Sequence, residues 1–524
     1  MNTTTDEYKI RISRINTCAT VKAVYTKTGD AEFDSNPLIT ALSPLPSAAK
    51  EDDALEDLYN DLTVLPQKSE TPPQTMSRIM RMAKAAQMLD FHVPLDRDIE
   101  LDHDIAIALR NGLVARNPSA EWLAKRSERI EEVRHYQKRK AAASVICIAL
   151  TGISGVGKST IVRLLLRREP QVLLHDQSLH PFLPRKQLVF LGVEVPERRS
   201  LRTFGLTILK NADHVLGTDF YSWYKAGSVD DIVQGVAALA ENHFLGLLVI
   251  DEVQFAINRR DPSDHELLDY LVHMANVIGV PILLVGTTKV LRLLEKELRS
   301  ARRFIGRVWD RFDRFSDDYA DFLTALMQIQ YTTQSVQLDL PTPDPKDSGR
   351  LRVKEDGIHN VVYDLTQGIP ALITTLLSLA QRREIGLGGN MITVDTLKAI
   401  YAEYFISLHP VLDALRSGDD AHIEMFEDLL HKRTLEKIFA EACRTEELAQ
   451  RKLLRTKLAG FRKKLERSAK AGLAADSVKF SKVKGDRPAS PDSMPERASK
   501  AKDPIEALRH AGVFASQKDL LNGR

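Results

Sequence analysis

Residues 152–159 of the chain read Gly-Ile-Ser-Gly-Val-Gly-Lys-Ser and directly follow an apolar run at residues 145–150. This arrangement fits the pattern G-x-x-x-x-G-K-[ST], in which a strand leads into a glycine-rich loop and then into a helix. The glycines allow backbone N–H groups to turn towards phosphate oxygens where a side chain would collide. The following helix, predicted at residues 158–167, presents its positive N-terminal end to the same anion. The sequence therefore predicts a loop that binds the phosphates of a nucleoside triphosphate.

The side chains of this loop have separate expected roles. Lys158 is expected to neutralise the β- and γ-phosphates, and Ser159 is expected to hold a magnesium ion. The alternative is a glycine-rich turn that carries a lysine by chance, which the preceding strand and the following helix disfavour. The predicted nucleotide-binding residues are Gly152, Ser154, Gly155, Gly157, Lys158, Ser159 and Thr160.

The composition restricts the class of protein. A chain of 524 residues with 43% hydrophobic residues indicates three or four domains with real cores. A net charge of +2 means that any surface for nucleic acid must be local. The three cysteines have neither disulfide nor zinc-site spacing, and no apolar stretch approaches the length of a membrane span. We therefore expect a soluble, cytoplasmic protein with no membrane partner.

Five apolar runs in the middle of the chain predict the strands of a parallel sheet. They alternate with helical patterns, which is typical of a sheet covered on both faces. A buried helical segment is an alternative for any single run, but not for all of them. The expected fold is therefore α/β, with strands at residues 145–150, 188–195, 245–250, 281–285 and 307–312.

Composition also divides the chain into four parts. Residues 1–140 read as an N-terminal extension of loops and short helices, and residues 141–315 as a nucleotide-binding core. Residues 316–408 have a purely helical pattern and are expected to form a lid. Residues 409–524 form a charged C-terminal region, in which residues 451–487 contain thirteen Lys or Arg against three acids. Part of this basic tail is expected to be disordered.

Two acids follow the apolar run that ends at Ile250. Asp251 is expected to coordinate magnesium, and Glu252 is expected to polarise the attacking water as a general base. The distance along the chain from Lys158 leaves room for another strand between the loop strand and this one. The alternative is an ordinary strand whose terminal acids open a helix, where carboxylates are favoured.

Two further elements complete the predicted site. Thr287 follows the run at residues 281–285 and is the predicted sensor of the γ-phosphate, although Thr287 or Thr288 as a helix N-cap is an equal alternative. Arg299, Arg302 and Arg303 lie three and four residues apart and share a helix face. That face is either a solvated basic surface or the source of an arginine finger that reaches a neighbouring subunit's nucleotide.

The order of these elements resembles that of the AAA+ ATPases: a glycine loop, an Asp-Glu strand, a Thr sensor, an arginine helix and a helical lid. A closer resemblance, densest between residues 145 and 418, is to the TnsC regulators of Tn-seven-like transposons. The segments that carry it are 245–254, 277–281, 298–303 and 409–418, with further similarity at 25–29, 36–37, 116–118 and around 508–521. The resemblance implies an AAA+ P-loop core with a helical lid and mainly helical or irregular extensions at both ends.

This resemblance also implies cofactors, partners and a location. The nucleotide would be ATP with Mg²⁺, and ATP-bound subunits would assemble as a homo-oligomeric ring or filament around double-stranded DNA in a bacterial cytoplasm. The N-terminal side would contact a target selector, either a DNA-binding protein or an RNA-guided complex. The C-terminal side would contact the transposase. Within the site, Arg302 or Arg303 gains weight as the finger that acts in trans.

One segment departs from the AAA+ pattern. Residues 366–371 occupy the place where many AAA+ proteins carry a sensor arginine, and no arginine is present there. Sensing of the nucleotide by the lid is therefore in doubt, and hydrolysis is expected to be slow.

Two basic clusters are expected to face the DNA. Phosphate contacts give affinity without sequence reading, which suits a protein whose target a partner chooses. A solvated charged surface is the alternative for both clusters, and plain disorder is the alternative to a DNA or acidic-partner contact for the basic tail. The predicted DNA-binding residues are Arg198, Arg199, Arg202, Arg259 and Arg260.

Three functions are compatible with these features. The first is a DNA-binding regulator of transposition that assembles in the ATP state and disassembles on hydrolysis. The second is an AAA+ motor or loader in replication or repair. The third is a nucleotide-dependent scaffold that never touches DNA. The basic clusters favour the first two, and the expected slow turnover favours the first.

Overall fold

The computed structural model describes residues 11–46, 50–66, 71–134, 145–196, 200–256, 270, 275, 277–290, 304–344, 347–418, 423, 437–445 and 456. The chain separates into two units, residues 1–451 and 452–524, and the described residues belong to the first unit except Thr456. Among the described residues, no helix combines the length and the apolar character that crossing a bilayer requires.

Ten strands occur in the described part of the chain and form three sheets. The central sheet has five parallel strands in the order β5-β6-β7-β2-β8, so one strand separates the loop strand β2 from the acid-bearing strand β6. The other two sheets have the orders β1-β3-β4 and β10-β9. The strands are β1 Thr20–Lys22, β2 Cys147–Gly152, β3 Val172–Leu174, β4 Lys186–Leu188, β5 Phe190–Glu194, β6 Leu247–Asp251, β7 Ile282–Gly286, β8 Phe304–Trp309, β9 Thr342–Asp344 and β10 Asp347–Arg352.

Sixteen α-helices with given bounds surround these sheets. Five lie beyond the core, in the region predicted to be the lid and just after it. The helices are α1 Ala31–Asp34, α2 Pro37–Thr40, α3 Glu51–Leu62, α4 Arg78–Ala86, α5 Asp96–Val114, α6 Ala120–Ala124, α7 Arg126–Arg134, α8 Lys158–Leu166, α9 Leu201–Leu216, α10 Phe220–Tyr224, α11 Val229–Asn242, α12 Asp317–Met327, α13 Ile358–Thr366, α14 Pro370–Leu387, α15 Val394–Tyr404 and α16 His409–Ser417.

The central sheet is buried on both faces, as the continuous apolar runs predicted. Successive side chains of a strand point to opposite faces, and in β6 Val249 belongs to one hydrophobic cluster while Ile250 belongs to the other. The first cluster includes residues of α5, α8 and the helices beyond the core, and the second includes residues of α9 and α11. The predicted α/β fold with a parallel sheet is therefore confirmed.

The strand bounds differ from the predicted ones by one to three residues. The run at 188–195 is divided between two sheets, because β4 pairs with β3 whereas β5 joins the central sheet. The last strand is β8 Phe304–Trp309 and not 307–312. β8 is an edge strand with mostly exposed or half-buried residues, and Arg307 forms ion pairs with Asp104 and Glu100 of α5. Apolar patterning therefore places such a strand poorly.

The N-terminal residues contact the central sheet through Asn16 and add strand β1 to a second sheet. The Asn16 side chain accepts from Gly192 N at 2.8 Å and donates to Gly192 O at 2.9 Å, so it occupies the free edge of β5. β1 adds a parallel strand to β3, an element that the sequence did not predict. At the end of α5, Arg116 is buried and donates to Gly112 O and to Leu245 O, both at 2.7 Å. Burial lowers the pKa of Arg116 to about 10.

The sequence predicted a purely helical region at residues 316–408, but the structure has two strands within it. β9 and β10 form an antiparallel pair between α12 and α13. The sequence there, Thr-Pro-Asp-Pro-Lys-Asp, carries two prolines and reads as a loop. Its short strands lack the apolar alternation on which strand prediction depends.

Candidate nucleotide site

The glycine loop lies at the carboxyl end of β2, as the motif requires. Gly152 has φ +149°, and a Cβ atom on it would lie 2.0 Å from the carbonyl oxygen of Trp309, so only glycine fits beside β8. Gly157 has φ +102° and is the N-cap of α8. The loop therefore depends on glycine both for space and for a backbone conformation that other residues rarely adopt.

Lys158 is buried within the loop. Its Nζ atom donates to the carbonyl oxygen of Gly152 at 2.7 Å and to that of Ile153 at 2.8 Å. These contacts hold the ammonium group at the N-terminus of α8, where an anion is favoured by the helix dipole. The geometry thus places a positive charge and a helix end at one point, as a phosphate site needs.

Ser159 and Asp251 meet across the two strand tips. Ser159 Oγ donates to Asp251 Oδ1 at 3.0 Å, and the same oxygen accepts from Glu252 N at 2.9 Å. Burial and the adjacent Glu252 carboxylate raise the pKa of Asp251 to about 7, although the Ser159 hydrogen bond opposes the shift. The Ser159 hydroxyl and the Asp251 carboxylate are oxygen ligands of the kind that a hard divalent cation prefers. The charge of such a cation would favour the ionised form of Asp251, which burial disfavours.

Mg²⁺ fits this donor set. In the described residues, no three His, Cys, Asp or Glu side chains form a metal cluster of their own. Mg²⁺ characteristically takes one or two protein ligands together with substrate phosphates. Asp251 and Ser159 are the two residues that would hold it, and this agrees with their predicted role.

Glu252 has an unusual backbone. Its φ is +60°, in the left-handed region that non-glycine residues seldom adopt. Its carboxylate accepts a short hydrogen bond from Gln254 Nε2, and Gln254 Oε1 accepts from Thr287 N at 3.2 Å. Thr287 Oγ1 is buried and has no hydrogen-bond partner among the residues that the structure describes. The tips of β6 and β7 are therefore joined by one glutamine side chain, which sequence reasoning did not single out.

These residues border a cavity of about 490 Å³. Of the predicted nucleotide, metal and catalytic residues that the structure describes, all except Gly152 line it: Ser154, Gly155, Gly157, Lys158, Ser159, Thr160, Asp251, Glu252 and Thr287. Gly152 lies beneath the loop and supplies a carbonyl to Lys158. The structure thus brings together residues that are up to 133 positions apart in the sequence, from Ser154 to Thr287, and their individual roles stay predictions.

A second group of residues that line the cavity is mostly aromatic, and sequence reasoning missed it. The group consists of Phe91, Arg97, Trp309, Phe312 and Phe322, which come from the N-terminal region, the end of β8 and α12. The ring centroids of Phe91 and Phe322 lie 5.2 Å apart, and those of Phe312 and Phe322 lie 5.1 Å apart. An apolar, aromatic wall of this kind is typical of a site for a planar ring.

Arg97 ties this wall to the glycine loop. Its guanidinium lies 4.7 Å from the Trp309 ring centroid and donates to Asp310 O at 3.0 Å and to Val156 O at 3.5 Å. Burial lowers the pKa of Arg97, although an arginine stays charged. In the sequence, Arg97 stands in the acid-rich start of α5, and this pattern does not indicate a position at the cavity.

The start of α14, which overlaps residues 366–371, contacts the glycine loop. Ala371 N donates to Gly155 O at 3.1 Å, and a Cβ atom on Gly155 would lie 2.9 Å from Ile369 Cγ2. Pro370, Ala371, Thr374 and Thr375 of α14 line the cavity. The contact of this region with the loop is therefore made by backbone and small side chains.

The predicted DNA-binding and finger arginines are mostly outside the described residues. Arg198, Arg199, Arg259 and Arg260 lie there, as do Arg299, Arg302, Arg303 and all of the tail at 451–487 except Thr456. Arg202 is described, at the start of α9. Its guanidinium donates to the carbonyl oxygens of Gly227 and Lys225, so it holds the turn before α11. Its predicted phosphate contact stays a prediction.

Comparison with known proteins agrees with the fold. Residues 144–294 match the AAA domain family. Together with the five-stranded parallel sheet and the loop at the end of β2, this match identifies the core as an AAA+ P-loop fold. A search of curated proteins found no match to the chain.

Several solved structures show distant similarity. The ORC1 protein of Aeropyrum pernix in complex with DNA has 15% identity and a TM-score of 0.32, covering 61% of this chain and 81% of that chain. Cdc6p of Pyrobaculum aerophilum has 13% identity and a TM-score of 0.32, covering 61% and 86%. The S. cerevisiae Hsp104–ADP complex has 14% identity and a TM-score of 0.26, covering 62% and 39%. Similarity at this level carries no information about ligands or partners.

Proposed function

We propose that this chain is a Mg²⁺-dependent ATPase whose ATP-bound state assembles on duplex DNA, and that it regulates transposition. In this role it links a target selector at its N-terminal side to the transposase at its C-terminal side, and hydrolysis drives disassembly. The observation that carries the ATPase assignment is the convergence of Lys158, Ser159, Asp251, Glu252 and Thr287 on one cavity.

The chemistry follows from the positions of these side chains. Lys158 and the N-terminus of α8 neutralise the phosphates, and Glu252 accepts the proton of the attacking water. Thr287 offers a hydroxyl to the γ-phosphate or the water. Magnesium held by Asp251 and Ser159 would supply charge stabilisation at the β- and γ-phosphate oxygens.

The site is completed by a neighbouring subunit in this proposal. Among the described residues that line the cavity, the Lys and Arg side chains are Lys158, Arg14, Arg97 and Arg163. Arg302 or Arg303 of a second copy would supply the cation that the transition state needs. Hydrolysis in the isolated subunit is then slow, which also agrees with the absence of an arginine at residues 366–371.

The transposition role is supported by the residues that carry the resemblance to TnsC. The segment 245–254 includes β6 with Asp251, Glu252 and Gln254, and the segment 277–281 leads into β7 with its Thr287 tip. The segment 409–418 is α16 with its Gly418 C-cap. One of the resembling segments therefore contains the acids of the proposed site, and another leads into the strand that ends next to the predicted sensor.

Nucleotide-gated DNA binding is tested with substitutions of two residues of the proposed site, Glu252 and Lys158. Glu252→Gln should trap the ATP state, so fluorescence anisotropy with labelled duplex DNA should show prolonged occupancy in ATP. Lys158→Ala should lose the ATP-dependent binding. If Lys158→Ala binds duplex as tightly as the wild type with and without ATP, nucleotide gating is wrong. A motor or loader would instead stop on Glu252→Gln without a longer-lived complex.

The DNA contact is tested at the first basic cluster. Arg198→Glu with Arg199→Glu should abolish assembly on duplex DNA, seen by electron microscopy with a non-hydrolysable ATP analogue, and should spare nucleotide binding. Arg185→Glu is the matched control for the charge change, because Arg185 is an exposed arginine outside the predicted DNA-binding residues. Intact assembly of the double variant would reject this surface. Transposition assays reconstituted with a target selector and a transposase then test the two proposed partner contacts.

A further inference from the structure

Gln254 bridges the two strand tips that bear the predicted general base and the predicted sensor. It lies in the 3-10 turn Val253–Ala256 directly after β6 and is buried. Its Nε2 donates to Glu252 Oε2, and its Oε1 accepts from Thr287 N at 3.2 Å. The two ends of a single amide thus contact the two elements of the site.

The orientation of this amide is fixed by its partners. A carboxylate accepts and a backbone N–H donates, so the nitrogen must face Glu252 and the oxygen must face Thr287. The approach is close, because a Cβ atom on Gly286 would lie 2.8 Å from Gln254 Oε1. A glutamine is the side chain that supplies both a donor and an acceptor at this reach, and glycine at 286 provides the space for it.

We infer that Gln254 is a positioning residue for hydrolysis, which fixes the Glu252 carboxylate relative to the Thr287 tip. The inference rests on the proposed ATPase function. The Glu252 backbone lies in the left-handed region, which costs free energy and persists only where surrounding contacts hold it, and the Gln254 hydrogen bond is one such contact. Through the bridge, a shift of the β7 tip on contact with the γ-phosphate moves the base with it.

The first test separates positioning from binding. Gln254→Leu keeps the volume and removes both hydrogen bonds, so kcat for ATP should fall by at least about tenfold, as expected when a hydrogen bond to a charged group is lost. The KM and the affinity for a fluorescent ATP analogue should stay within about twofold. Gln254→Glu should show the same pattern, because its carboxylate cannot donate to Glu252. A wild-type kcat in Gln254→Leu would overturn the inference.

The matched control is another buried glutamine that bridges two segments away from the cavity. Gln187 of β4 accepts from His175 Nε2 through Oε1 at 2.8 Å and donates from Nε2 to Leu38 O at 3.4 Å. Gln187→Leu should lower the melting temperature and leave kcat unchanged. If it lowers kcat as much as Gln254→Leu does, the effect reflects general loss of packing and the inference fails.

The second test is a double-substitution cycle. If Gln254 acts only through the Glu252 carboxylate, adding Gln254→Leu to Glu252→Gln should change the slow residual rate little, measured by single-turnover hydrolysis of radiolabelled ATP. Additive losses would overturn the inference in favour of a structural role. Failure of the wild type itself to hydrolyse ATP with duplex DNA present would instead reject the proposed function, and the two failures are thus distinct.

Discussion

Two groups of residues that line the cavity, which we name the phosphate end and the aromatic end, are built in opposite ways. The phosphate end consists of short contiguous segments at strand tips, with buried charges, a left-handed Glu252 and a carboxyl group whose pKa is raised to about 7. The other end consists of aromatic rings and one arginine drawn from three distant parts of the chain. We infer that the first end determines reaction rate, whereas the second determines how tightly the nucleotide is held.

The largest effect is expected for Glu252→Gln at the phosphate end. Loss of the general base should lower kcat by roughly 10²- to 10⁴-fold, with nucleotide affinity nearly unchanged. Steady-state phosphate release and equilibrium binding of a fluorescent ATP analogue measure the two quantities. Glu194→Gln at the tip of the neighbouring strand β5 is the control and should change kcat by less than about threefold. Equal losses in both variants would contradict the assignment of the base.

Gly152→Ala tests the close packing of the glycine loop against the end of β8. The added Cβ atom would lie 2.0 Å from Trp309 O, at a φ that alanine seldom adopts. The free energy of unfolding should fall by about 3 kcal/mol or more. Urea denaturation measures it, and Gly306→Ala in β8, where a Cβ meets nothing within 4 Å, is the control. Comparable stability of the two variants would contradict the requirement for glycine at position 152.

Asp251→Asn tests the electrostatics of the phosphate end. The folded-state pKa is raised above the unfolded value, so the unfolded chain releases a proton first and stability falls as pH rises from about 4 through about 7. Without nucleotide and Mg²⁺, Asp251→Asn should match the wild type near pH 4 and exceed it near pH 8 by a few kcal/mol, on the order that the shift allows. Urea denaturation across this range measures the difference. A pH-independent difference would contradict the burial of an ionisable Asp251.

The smallest effect is expected at the aromatic end. Arg97→Met removes two hydrogen bonds to carbonyls and the stacking on Trp309, so affinity for ATP should weaken by roughly tenfold. The kcat at saturation should stay within about twofold. Arg168→Met is the control, because Arg168 pairs with Asp61 and Asp102 outside the cavity. A fall in kcat with unchanged affinity would remove the distinction between the two ends.

The phosphate end was predictable because its chemistry requires particular residues at fixed spacing. The loop, Asp251, Glu252 and Thr287 each follow an apolar strand, and parallel strands bring their carboxyl ends to one edge. The central sheet was predictable for the same reason, since buried strands are continuous apolar runs.

The aromatic end was not predictable because no short pattern encodes it. Phe91 and Phe322 read as ordinary core residues, and only the fold brings them to one wall. Gln254 was missed because its role depends on a contact with Thr287, more than thirty positions away. β1 was missed because a three-residue, exposed strand has no apolar pattern and exists through its pairing with β3.

Arg116 gives the N-terminal region a mechanical connection to the catalytic acids. It holds the carbonyl of Leu245, two residues before β6 begins, and the opposite end of β6 is Asp251. An extended strand of five residues spans about 17 Å and does not stretch. Under the proposed function, a displacement of α5 by a bound partner would be transmitted along β6 to Asp251. The Arg116 contact and the predicted metal ligand Asp251 thus lie at opposite ends of one strand.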